Sequence, residues 1–315
     1  MKTPLPRFRS ALSVTAALIG VALVATGCSS SPAPAPSEST AAGSYTVTHA
    51  MGTETFDAVP ERIVVLDSPA IDALVALDMA PVGAPEIGAG RGFPAYLADK
   101  LTDTSSTGFI AEPDVDAIAN LAPDLIIGSK VRHEALYAEL SQIATTVFSE
   151  DSGTNWHEQA ELVAAAVNKT DEMQTLLDGV DARAKAVGET VKADGTTASI
   201  VRFRSDNFRL YGPGTFSGSL LTSMGFDLGE RAWNEYSMME LSPELYEQID
   251  GDVVFYMSPG GDPSATTESS ITALWSGLPA VSAGTAFSVA DDTWMVGIGV
   301  IGAGLIIDQV EELLQ

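Results

Sequence analysis

Asp114-Val115-Asp116-Ala117-Ile118-Ala119-Asn120-Leu121-Ala122-Pro123-Asp124-Leu125-Ile126-Ile127 is echoed, 128 positions further on, by Ser242-Pro243-Glu244-Leu245-Tyr246-Glu247-Gln248-Ile249-Asp250-Gly251-Asp252-Val253-Val254-Phe255. Each copy reads as a capping residue, an acidic first turn, a short helix, a tight turn, an aspartate and a buried strand. Chance produces such a run once. Two in register predict a chain made of two related halves.

Around the first copy, Ile63-Val64-Val65-Leu66 is a short apolar run that ends in Asp67-Ser68 and opens an apolar-periodic stretch through Ile71, Leu74, Val75 and Leu77. This is a strand, a helix cap and a helix. Similar units surround Pro81-Val82-Gly83, Leu125-Ile126-Ile127 and Thr146-Val147-Phe148, and the alternating Tyr45 to Phe56 segment predicts an edge hairpin. Around the second copy, Ala198-Ser199-Ile200-Val201 precedes Val253-Val254-Phe255, and a helix near Gly302 to Leu314 closes the chain. Short apolar strands alternating with helices predict an α/β protein of two lobes with mainly parallel sheets, each covered on both faces. Residues 45–154 form the first expected lobe and 194–315 the second. Between them, Asn155 with Glu158 is read as a cap, and apolar positions from Leu162 to Val191 keep helical spacing. One connecting helix over 155–193 would hold about 35 residues and span roughly 50 Å. Gly179 and Gly188 weaken it by about 1 kcal/mol apiece.

The first residues carry Lys2, Arg7 and Arg9, an apolar run from Ala11 to Val24, then Ala25-Thr26-Gly27-Cys28. That order predicts an export signal over 1–27, since about 14 apolar residues fall short of the ~20 that a spanning helix needs. Cys28 is the only cysteine, so an internal disulfide is impossible. The arrangement resembles a lipoprotein box with Ala25 where leucine is preferred, which implies acylation of Cys28. The alternative is a secreted protein with one leftover thiol. Residues 28–44, rich in Ser, Pro and Ala, read as a flexible tether.

The net charge of −26 becomes more negative still once the three basic residues of the signal are removed. So acidic a surface repels phosphate backbones and anionic lipid, which excludes nucleic acid as a partner class. His49, His133 and His157 share no ligand spacing, so no direct metal site is expected. Gly297-Ile298-Gly299-Val300-Ile301-Gly302 mimics a dinucleotide fingerprint, but almost no chain remains for its second strand. It is read as close helix packing. Gly214-Thr215-Phe216-Ser217-Gly218 lacks the spacing of a nucleophile elbow.

Export signal, lipobox, Pro60-Glu61-Arg62-Ile63-Val64-Val65-Leu66, the paired helix-strand units and the connecting helix together resemble the substrate-binding proteins of iron-siderophore, haem and cobalamin ABC importers. The likeness spans nearly the whole chain after the signal. It implies two lobes flanking a shallow cleft, a connector that permits modest closure, and a non-enzymatic monomer tethered outside the membrane. It also implies permease subunits as partners, with Asp116 and Glu244 as matching docking positions; helix-dipole stabilisation accounts for the same two acids without a partner. The expected cargo is a ferric siderophore, so iron arrives chelated and no resident cofactor is needed. Haem or cobalamin is the alternative within the class, and a tethered enzyme or adhesion module lies outside it.

Beyond Thr196 there is no lysine and only four arginines, of which Arg202, Arg204 and Arg209 fall within eight positions. Strand alternation puts Arg202 and Arg204 on one face. Guanidinium forks suit an oxygen-rich anionic chelate, so Arg204 and Arg209 are the leading ligand contacts, followed by Arg202 and with Tyr211 beside them. The alternative is pairing with carboxylates close in sequence. Arg91 and Arg132 are candidates from first-lobe loops, because ligands of α/β sheets sit at strand C-terminal ends. Trp233, Tyr236 and Trp294 are candidate stacking groups or core.

Overall fold

The computed structural model describes residues 43–88 and 90–315, so the export signal, Cys28 and most of the tether lie outside the described residues. The body opens with a hairpin, β1 (Tyr45–His49) and β2 (Gly52–Phe56). It forms its own two-stranded sheet and does not extend a lobe sheet as an edge. It is pinned by bonds of 2.9 Å from Ala50 N to Phe148 O and 2.8 Å from the Tyr45 hydroxyl to Ala166 O.

Six strands build the first lobe: β3 (Ile63–Val65), β4 (Gly83–Glu86), β5 (Ser105–Phe109), β6 (Glu112–Pro113), β7 (Leu125–Ser129) and β8 (Thr145–Ser149). Their order is β6-β5-β4-β3-β7-β8, parallel except for β6. Five build the second: β9 (Ala198–Phe203), β10 (Phe208–Tyr211), β11 (Met238–Leu241), β12 (Val253–Met257) and β13 (Ala286–Ser288). Here the order is β11-β10-β9-β12-β13, with β10 antiparallel to both of its neighbours and the other pairs parallel. The helices that matter for the site are α1 (Ser68–Ala76), α2 (Val115–Asn120), α3 (Lys130–His133), α4 (Trp156–Ala166), α5 (Thr170–Val191), α6 (Phe216–Met224) and α7 (Val300–Leu314).

The echo is structural. In the first lobe Asp124 accepts the backbone N–H groups of Glu61 and Arg62 at 2.8 Å, just ahead of β3. In the second, Asp252 accepts that of Thr197 at 2.9 Å, just ahead of β9. Each aspartate thus ties the start of its own strand to the parallel neighbour, β7 to β3 and β12 to β9. The copies differ at the helix: Asp114 caps α2 by accepting Ala117 N at 2.9 Å, whereas Pro243–Gln248 is a 3₁₀ turn with no side-chain cap and Leu245 out of helical geometry.

Alternation within the buried strands feeds opposite cores. Val64 and Ile126 face an outer core with Phe148, while Ile63, Val65, Leu125 and Ile127 face inward. Val201, Phe203 and Val254 face the outer core of the second lobe, while Ile200, Val253 and Phe255 face inward. The two inner faces belong to one apolar core that also takes in α1, α4, α5, α6 and α7. Both lobes therefore share a continuous, close-packed interior, which resists large relative movement.

A long helix, α5, does join the lobes, but it covers 22 residues and not the whole of 155–193. The stretch breaks between α4 and α5, where Asn168 takes a left-handed φ of 55°, Lys169 N bonds Ala164 O and Asn168 N bonds Ala165 O. That pair of bonds is a Schellman stop with asparagine in the position that glycine usually holds. Asn155 stands at the start of α4 without the expected side-chain cap. Neither Gly179 nor Gly188 breaks α5. Gly188 is a point of contact, since a Cβ there would come within 1.8 Å of Met224 O at the end of α6.

Candidate functional site

A cleft of about 390 Å³ lies between the lobes. The first lobe supplies Val131 and Arg132 from α3, which directly follows β7, and the 151–154 segment, which follows β8. Both are positions at the C-terminal ends of parallel strands, where such sheets open onto ligands. The second lobe supplies Tyr211 at the end of β10, the first turn of α6, Tyr236 and Met238, and Trp294, Met295 and Ile298 ahead of α7.

Arg132 is the guanidinium of this cleft. Its Nε lies 3.0 Å from Asp67 Oδ2 in an ion pair, and 44% of its side chain stays exposed. Asp67 itself is buried. Its other contacts come from Ser68 N to Oδ1 and from the Ser129 hydroxyl to Oδ2, both at 2.9 Å. One carboxylate thus caps α1, ties β3 to β7 and orients Arg132 from its Nε side, which leaves the terminal nitrogens of the fork for a ligand. His133 holds the same turn, accepting Ser129 N at Nδ1 (3.2 Å) while Nε2 donates to Ile110 O (2.9 Å).

Of the residues singled out in the sequence, Arg132, Tyr211, Tyr236 and Trp294 line the cleft. Trp294 does so from a fully buried position, donating to Gln309 Oε1 at 2.7 Å and lying 4.8 Å from the Phe255 ring. Arg202, Arg204, Arg209, Arg91 and Trp233 are not among the lining groups. Arg202 stands behind Tyr211, gripped by Asp291 through two bonds of 2.6 and 2.9 Å. Burial lowers its pKa, but Asp291 and Tyr211 outweigh that and leave it raised. Arg209, opposite Arg202 in the strand register, gives its Nε and a terminal nitrogen to Glu240 on β11. Arg204 sits at the β9–β10 turn, whose backbone it closes through Asn207 and Thr267. Arg91 crosses from the first lobe to pair with Asp292 of the second. Trp233 packs on the outer core, with the Arg231 guanidinium 5.8 Å from its ring. Asp116 and Glu244 are exposed, one on each lobe, each in the first turn after its repeat's capping residue.

Sequence reasoning missed Asp67 as a site residue, although it had placed it correctly as a cap at the end of β3. It also missed the hydroxyls of Ser152, Thr154, Thr215 and Ser217, all on the cleft wall. Nothing but position marks a serine as a cleft residue.

The glycine segment Gly297–Gly302 does cradle a carboxylate, but the protein's own. Asp72 of α1 is wholly buried against the start of α7, accepting Ile301 N (2.9 Å), Gly302 N (3.0 Å) and the Tyr96 hydroxyl (2.9 Å). Gly299, at φ 152°, has no room for a Cβ, which would stand 2.4 Å from Asp72 Oδ1. Burial drives the Asp72 pKa up to about 6, against the lowering by these donors. This joint ties the first lobe to the terminal helix beside the cleft.

Two α/β lobes on a shared core with a cleft between them are the architecture of a solute-binding protein. The family description "Periplasmic binding protein" matches residues 63–293. The chain belongs to that family. It is 36% identical over 304 residues to the probable siderophore-binding lipoprotein YfiY of Bacillus subtilis, covering 92% of this chain and 93% of that one. It is 29% identical over 292 residues to the Fe(3+)-citrate-binding protein YfmC of the same organism, covering 90% of each. The crystal structure of Staphylococcus aureus SirA complexed with staphyloferrin B superposes with a TM-score of 0.75 at 30% identity, covering 86% of this chain and 98% of that one.

Proposed function

We propose that this chain is the extracytoplasmic solute-binding component of an ABC importer, that it captures a ferric siderophore in the interlobe cleft, and that it delivers the complex to the permease without chemistry of its own. The observation that carries this reading is Arg132, half-exposed in an aromatic and methionine-lined cleft and held there by the buried Asp67. An oriented guanidinium suits a preformed anionic chelate, and the apolar side chains supply contact area. The ligands for which the relatives are named support the same cargo class. In this reading Cys28 carries the lipid anchor, the tether lets a monomeric body reach its permease, and Asp116 and Glu244 meet the two permease subunits. Iron enters as part of the ligand, so the protein keeps no metal or cofactor of its own.

Tryptophan fluorescence tests the proposal, because Trp294 lies on the cleft wall and Trp156 packs 5.3 Å from the cleft residue Phe216. Titration with a panel of ferric siderophores is expected to give saturable quenching at micromolar concentrations or below for at least one of them. Saturation by haem or cobalamin alone, or by none of the panel, overturns it.

A further inference from the structure

After β13 the chain enters the segment 292–298, which begins with one π-helical turn (Asp292–Val296) and carries Trp294, Met295 and Ile298 on the cleft wall. Turns of this kind are rare and gather at functional sites. In its middle this strap belongs to the second lobe, where the Trp294 ring lies 4.8 Å from that of Phe255 on β12. Both of its ends are held by the first lobe. Past Ile298, the amides of Ile301 and Gly302 donate to Asp72, which also accepts the Tyr96 hydroxyl, and a Cβ on Gly297 would come within 3.0 Å of the Tyr96 ring. At the other end Arg91 donates from Nη2 to Asp292 Oδ1. The Arg91 guanidinium also lies against the loop that follows β12, 3.8 Å from where a Cβ on Gly260 would stand. Gly260 N in turn donates at 3.4 Å to Asp291, the partner of Arg202.

The two ties differ in exposure. Asp72 is wholly buried, so its tie holds for as long as the chain is folded. Arg91 and Asp292 keep 32% and 30% of their side chains exposed, so water takes up both charges when the pair opens and opening costs little. We infer that Arg91 is a positioning residue for cargo capture: its pair with Asp292 is a releasable clasp between the lobes that holds Met295 and Ile298 in the binding arrangement without touching the cargo. This rests on the cleft reading above and adds to it a residue that lines no part of the cleft. A cleft whose wall is in place for only part of the time binds in proportion to that fraction. An ion pair outside the cleft therefore changes affinity. Direct contact of Arg91 with an anionic cargo predicts the opposite sign at Asp292, because removing that carboxylate frees the guanidinium.

Two measurements on the full chain compare wild type with Arg91→Ala, with Asp292→Ala and with the exchanged pair, Arg91→Asp together with Asp292→Arg. Hydrogen exchange of the free chain over 292–298 is expected to speed up about three- to fivefold in each alanine variant, the range that a partly exposed ion pair supports. The exchanged pair is expected to return it to within about twofold of wild type. Fluorescence titrations with ferric citrate and with ferric staphyloferrin B are expected to show the same loss of affinity, about three- to fivefold, in both alanine variants and the same recovery. Tighter binding by Asp292→Ala makes Arg91 a cargo contact and overturns the clasp. So do affinities unchanged in both alanine variants beside a lowered melting temperature, which reduce the pair to a structural one. Exchange at the wild-type rate in both alanine variants overturns it too, whether or not either chelate binds. A wild-type chain that binds no ferric chelate overturns the cargo reading, while faster exchange in the alanine variants still upholds the clasp.

Discussion

On the first-lobe wall, Arg132 touches its carboxylate, Asp67, through Nε and keeps nearly half its side chain in the open. Across the cleft, Arg202 spends two nitrogens on Asp291, whose side chain is wholly buried, and Arg209 spends two on Glu240. The same residue type is thus half-open to the cleft on one side and a structural cross-link on the other. What separates them is the number of donors left over. An arginine bound at Nε alone still presents a fork, while one bound at Nε and a terminal nitrogen has little geometry to offer an anion.

The sharpest way to break this contrast is Arg202→Ala, which strands a buried aspartate. Unfolding in denaturant is expected to show a loss of about 3–5 kcal/mol, and a loss below about 1 kcal/mol removes the cross-link from the account. Next comes a second buried carboxylate, Asp72. Its pKa of about 6 lies above the ordinary 3.8, so the folded chain holds the proton more tightly than the unfolded one. Stability is therefore expected to fall by about 3 kcal/mol as pH rises from about 4 to about 6. Asp72→Asn flattens that slope in a pH series of denaturation curves, and an unchanged slope refutes the assignment. Arg132→Ala is expected to weaken ferric chelate binding by about 10- to 100-fold, the worth of a charged hydrogen bond, with a smaller loss of stability than Arg202→Ala because Ser68 N and the Ser129 hydroxyl still satisfy Asp67. The smallest effect belongs to Arg209→Ala, where a half-exposed pair contributes under about 1 kcal/mol to stability and chelate affinity stays within about twofold. An affinity loss for Arg209→Ala that matches that of Arg132→Ala erases the distinction between the walls.

Much of the fold was legible along the chain. Ile63–Val65, Leu125–Ile127 and Val253–Phe255 are strands because unbroken runs of branched and aromatic side chains must be covered on both faces, and Asp67 and Asp114 cap helices where a short acceptor precedes an apolar period. The echo anticipated that Asp124 and Asp252 would occupy equivalent places. The stop at Asn168 was also open to reading, since asparagine tolerates left-handed backbone, but the apolar spacing carried through it and hid the break. The cleft wall was read less well. Three arginines within eight positions advertise a basic patch, but Asp291 lies 89 positions from Arg202 and Asp292 lies 201 positions from Arg91.

Periodicity, caps and repeat register are local properties, set by which side chains can share a strand face or a helical turn, and from them the two α/β lobes and their membership of one architectural class could be worked out in advance. Which charges remain free is not local. It depends on carboxylates that the packed strands bring alongside from distant parts of the chain, and on which hydroxyls burial deprives of water. Pairing distance and desolvation arise only when the lobes close on their common core, so the exposure of Arg132 and the pairing of Arg202 were settled there.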